Sequence, residues 1–191
     1  MTTTVSGLFD TRADATNAVR DLQAMGVSNE DISVVGADER GHGVESETAR
    51  DAGAGAGIGA AVGGLGGLLT GLGIMAIPGV GPVVAAGWLA ATAAGAVAGA
   101  VVGGAAGGIL GALTEAGVSE RDAHVYAEGV RRGGTLVTAR VDDSKADAAA
   151  AVLRETHSVD LELRRADYER GGWTRFDPDG PIEPRLPGST Y

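Results

Sequence analysis

From Ala52 to Thr114 the chain carries no charged side chain, although charged residues are dense on both sides. A stretch this apolar has to be covered, by protein or by lipid. Within it glycine returns at every fourth position: Gly55, Gly59, Gly63, Gly67 and Gly71, then Gly95, Gly99, Gly103, Gly107 and Gly111. Residues four apart share one face of a helix, so the spacing predicts two helical arms, 52–77 and 83–114. Each would carry a smooth groove against which another backbone can lie closely. The other face of the first arm holds Ile58, Val62, Leu65, Leu69 and Leu72, a bulky stripe expected to meet lipid or a partner. Pro78, Gly79, Gly81 and Pro82 interrupt any helix and are expected to turn the hairpin. Both arms exceed the roughly 20 apolar residues that one bilayer crossing needs. Membrane insertion as a self-associating hairpin is therefore expected. The alternative is a water-soluble assembly in which hairpins from several copies form the core.

The flanks are soluble in character. With a formal net charge of −10 and basic residues interleaved with acidic ones, they show no stripe suited to nucleic acid. "TVSGLF" reads as a strand, "DTRADATNAVRDLQAMG" as a helix and "DISVVG" as a second strand. After the block a helix, "SERDAHVYAEGVRRGG", leads into "TLVTARV", "DDSKADAAAAVLRET" and "VDLELR", again strand, helix, strand. Asp10-Thr11-Arg12-Ala13-Asp14-Ala15 aligns with Asp143-Ser144-Lys145-Ala146-Asp147-Ala148, the mark of an internal repeat. Two such halves predict an α+β fold, a ferredoxin-like split sandwich with both helices on one face of a four-stranded sheet. The expected organisation is a first half at 1–36, a polar loop at 37–51 and the hairpin at 52–114. A helix with the second half follows at 115–165, and an extended tail at 166–191.

Catalytic chemistry is hard to find. There is no cysteine to serve as thiolate or zinc ligand. "GAGIGA" and "GLGIMA" satisfy a dinucleotide pattern only as any glycine-rich run would, since neither follows a predicted strand. His42, His124 and His157 lack metal spacing, and acid pairs such as Asp142-Asp143 sit where they would cap helices. No catalytic residue, metal or cofactor is expected. The tail is polar and rich in proline and glycine, yet it holds Tyr168, Trp173, Phe176 and Tyr191. Trp173 and Phe176 are expected to anchor it on the sheet, or else to dock a protein partner.

"GLFDTRADATNAVRDLQAMGVSNEDISVV" and "GVSERDAHVYAEGVRRGGTLVTARVDDSKADAAAAVL" resemble the bacterial general stress protein family typified by the heat-induced YflT domain. The resemblance spans about residues 4–165. It implies a small, non-enzymatic bacterial protein linked to stress responses. Together with the glycine block it places the chain at the inner membrane with both termini cytoplasmic, or alternatively in the cytoplasm, its partners being further copies of itself and the bilayer.

Overall fold

The computed structural model describes residues 1–37, 73–77, 81–89 and 108–177. In chain order the elements are β1 (Thr2–Phe9), α1 (Arg12–Ala24), β2 (Ile32–Ala37), β3 (Gly73–Ile77) and β4 (Gly81–Ala86). There follow α2 (Gly108–Glu115), α3 (Glu120–Arg131), β5 (Thr135–Asp142), α4 (Ala146–Glu155) and α5 (Leu161–Arg170). The chain is a mixture of helix and antiparallel strand, with sheet order β1-β5-β2-β4-β3. Strand β5, between β1 and β2, runs antiparallel to both, from Thr2↔Asp142 to Phe9↔Thr135 on one side and from Ile32↔Ala139 to Gly36↔Thr135 on the other.

Helices cover both faces of this sheet. Alternation along the strands divides the apolar residues: Phe9, Ile32, Val137, Ala139 and Val141 pack with Ala15, Ala18, Val19 and Leu22 of α1 and Ala149 and Leu153 of α4. Leu8, Val35 and Leu136 point the other way, into a cluster with Ile109, Ala112 and Leu113 of α2 and Ala123, Tyr126, Ala127 and Val130 of α3. β5 is consequently buried on both sides over Thr135–Ala139, and its sequence TLVTA shows little of the alternation of a half-exposed strand. α1 is opened by Thr11, whose hydroxyl accepts from the Asp14 amide, and closed by Gly26 at φ 83°. α3 is opened in the same way by Ser119, which accepts from Asp122.

Two expectations are corrected. The ferredoxin-like sheet lacks its fourth strand: "VDLELR" belongs mostly to α5. The Val159 amide does reach β1, donating to the Leu8 carbonyl at 2.7 Å, but Asp160 then caps a helix by accepting from Leu163. A carboxylate at an N-cap overrides a six-residue alternation. The two repeat helices, α1 and α4, do share one face, and α2 and α3 cover the other. Finally, parts of both predicted helical arms are strands: β3 ends the first arm and β4 begins the second. The two pair in register from Gly73↔Ala85 to Ile77↔Gly81, and β4 continues onto β2 from Val34↔Ala86 to Ala37↔Val83. Gly81 and Pro82 thus stand in β4 rather than in a turn between helices, and Pro78 and Gly79 lie outside the described residues. β-branched Ile and Val beside proline suit a strand better than a helix.

Candidate functional site

The face under α3 is the chemically distinctive one. Gly129 allows α3 to lie directly on β1, because a Cβ there would collide with the Leu8 side chain. That contact brings the helix's last turn, with Glu128, Arg131 and Arg132, into the interior. The side chain of Glu128 is 0% exposed. One carboxylate oxygen is bonded by Arg131 Nη2 and the other by Arg132 Nε at 2.5 Å. The spacing i, i+3 and i+4 sets one acid opposite two bases on a single helix face. A buried carboxylate is tolerable only with such partners.

The tail closes over this cluster. Arg131 lies over the Phe176 ring, 5.3 Å from its centroid, and its Nη1 donates to the Asp177 carbonyl at 3.2 Å. Arg132 stacks over the Tyr168 ring at 4.5 Å, and Tyr168 meets Trp173 edge to face at 5.6 Å. Phe176, 6% exposed, enters the same apolar cluster as Leu8, Val35 and Leu136. On α5, Arg164 pairs with Asp10 at 2.6 Å and the buried Arg165 with Asp122 at 3.0 Å. Deeper on this face Ser6, Thr138 and Ser33 form a hydroxyl row across β1, β5 and β2, and the Tyr126 phenol donates to the Ser6 carbonyl at 3.1 Å. Burial pushes the Tyr126 phenol far above the ordinary tyrosine range, with Asp122 adding to the shift. Tyr168 is raised for the same first reason, and the neighbouring Arg164 guanidinium partly offsets it.

Chemically this arrangement clamps a peptide segment. Both oxygens of Glu128 and the guanidiniums of Arg131, Arg132 and Arg165 are engaged with other parts of the chain. Among the described residues no cluster of three or more His, Asp or Glu could hold a metal ion. Trp173 and Phe176, predicted as anchors, are brought together with the α3 charges. Of the glycine series, Gly111 alone is described; it lies on α2, and a Cβ there would meet nothing within 4 Å. The buried side of α2 is Ile109, Ala112 and Leu113. Gly55, Gly59, Gly63, Gly67, Gly71, Gly95, Gly99, Gly103 and Gly107 lie outside the described residues, as do Ile58, Val62, Leu65, Leu69 and Leu72. The reading of the sequence passed over Glu128, Arg131 and Arg132. Their i, i+3 and i+4 spacing is visible in "EGVRR", but its burial is not.

Residues 4–75 match the family described as the heat induced stress protein YflT domain, a span from β1 through α1 and β2 into β3. The match supports the general stress protein family for that part of the chain. Neither a curated protein nor a solved structure matches the chain.

Proposed function

We propose that this is a non-enzymatic, stress-associated protein that associates with further copies of itself through the glycine-repeat segments 52–72 and 90–107. The stress association rests on the family match over residues 4–75. Self-association is supported by one observation above the others: the uncharged block is rooted in the folded domain at its middle and at its end. β4 pairs with β2, Leu89 is buried in the core, and α2 packs beside α3. Both ends of segment 90–107 are thus fixed to the domain, and a passage through a membrane between them requires two crossings. Neither 90–107 nor 52–72 has the roughly 40 residues that two crossings demand. Among the described residues no helix is long and apolar enough to cross a membrane. Glycines at i, i+4, i+8 are then surfaces for close contact with protein.

The absence of charge from Ala52 to Thr114 supports a second, bilayer-inserted reading, in which β3 and β4 leave the sheet so that the two full arms can span. Detergent-free fractionation of untagged protein, with an alkaline carbonate wash of the membranes, separates the two. A large lipid-free species that Gly63→Leu and Gly103→Leu reduce to a smaller one supports assembly through the glycines. Retention in washed membranes overturns it in favour of insertion, and an unchanged species in both variants removes the glycines from either account.

A further inference from the structure

Phe176 stands apart from its surroundings. Between Gly171 and Asp177 only Trp173 and Phe176 withdraw from solvent, and the glycines and polar residues around them are exposed. The turn into this strap is local, with the Gly172 amide donating to the Glu169 carbonyl, the Trp173 amide to the Tyr168 carbonyl, and Gly172 at φ 89°. Beyond that turn the strap forms no strand with the sheet. It is held by Phe176 in the core, by Trp173 on Tyr168 and by Arg131, which touches both the Phe176 ring and the Asp177 carbonyl. The cluster that Phe176 enters contains Leu89, where segment 90–107 begins, and Ile109, Ala112 and Leu113, where it ends. Among the described residues, the cluster on the opposite face contains none of the uncharged block.

We propose that the strap Gly171–Asp177 is a clasp on the uncharged block: seated, it pins both roots of segment 90–107 to the sheet, and unseated, it frees them to meet a second copy of the chain. The geometry supplies the coupling. Phe176 belongs to the one cluster in which both roots are buried, so its withdrawal loosens the packing that the two share. Among the described residues the strap takes part in no strand ladder, so it can open without breaking one. Only the destination of the freed roots rests on the self-association reading above.

The test is hydrogen–deuterium exchange and sedimentation velocity on the full chain carrying Phe176→Ala, with Phe176→Leu as the variant that keeps an apolar group in the cluster. Exchange at 83–89 and 108–118 is expected to rise at least tenfold in Phe176→Ala and to stay within about twofold of the parent in Phe176→Leu. α1 and α4 are expected to be unchanged in both. Sedimentation is expected to shift Phe176→Ala toward larger species. An even rise over both helical layers, or none at α2, overturns the clasp. A local rise with no change in size upholds the clasp and overturns the self-association reading. Should Phe176→Ala fail to fold, Trp173→Ala loosens the strap from outside the core and is judged by the same criteria.

Discussion

Among the described residues, the sheet under α1 and α4 meets an aliphatic layer with one aromatic, Phe9; under α2 and α3 it meets a buried acid, buried arginines, a hydroxyl row and the buried aromatics Tyr126, Tyr168 and Phe176. The first face is held by apolar burial, in which each residue contributes through its own area and neighbours compensate for small losses. The second is held by groups that need one another: Glu128 is tolerable only because Arg131 and Arg132 reach it, and Phe176 is seated partly by Arg131. One sheet thus has a side that is stable through redundancy and a side that is stable only while its partners remain together. The second side is where the uncharged block and the tail are attached.

The largest effect expected from this contrast is that of Glu128→Ala, which leaves two guanidiniums without their carboxylate and costs about 4 kcal/mol in urea unfolding. Leu22→Ala on the opposite face is expected to cost about 3 kcal/mol by the same measurement. A Glu128→Ala cost below that of Leu22→Ala would remove the distinction between the faces. Alkaline pH sharpens it further. Tyr126 and Tyr168 both keep their protons in the folded chain above the pH at which unfolded tyrosine, near pH 10, loses them. The folded state then binds more protons than the unfolded, so stability is level below about pH 10 and falls above it. The slope is up to about 1.4 kcal/mol per pH unit for each tyrosine. Thermal melts between pH 9 and 11.5 are expected to show this fall, made shallower by Tyr126→Phe and unaltered by Leu22→Ala. Equal slopes in the parent and Tyr126→Phe would exclude Tyr126 as a source.

The smallest expected difference lies within the aliphatic face and concerns its two helix starts. Thr11→Ala is expected to cost about 1 kcal/mol because its hydroxyl caps α1. Ser144→Ala, at the aligned position, is expected to cost a few tenths at most, since α4 begins from a short 3-10 turn with no side-chain cap. Differential scanning calorimetry of the two variants resolves them. Equal costs would restore the repeat that the alignment proposes.

That alignment also marks where the sequence was legible. β1, α1, β2, α3, β5 and α4 were all readable, because strand alternation, helix spacing and glycine stops agree in each. α1 and α4 do share a face. The alignment nevertheless brings Ala18-Val19 onto Ala151-Val152, while the fully buried positions of α4 are Ala149 and Leu153. A second internal likeness was passed over: "GVSNED" and "GVSERD" each end a helix on a positive-φ glycine and begin the next turn from a capping serine. β3 and β4 were hidden because glycine every fourth residue imitates a helical face even where the local residues favour a strand. α5 was hidden because "VDLELR" alternates, and only the position of Asp160 after Val159 shows that the alternation is interrupted. The clamp on Glu128 was legible as spacing but not as burial, which depends on Gly129 bringing α3 onto Leu8.

The pairing of β1 with β5 bears on synthesis as well as on form. Thr2 pairs with Asp142, so β1 leaves a ribosome long before the partner it bonds. At about 5–20 residues per second that wait is on the order of ten seconds. By the end of that wait the uncharged block has emerged while β5 has not, and contacts this distant in sequence close slowly even once both partners are present. The nascent chain therefore presents its uncharged stretch before it has a complete sheet on which to dock it, an exposure that ends only when β5 is made.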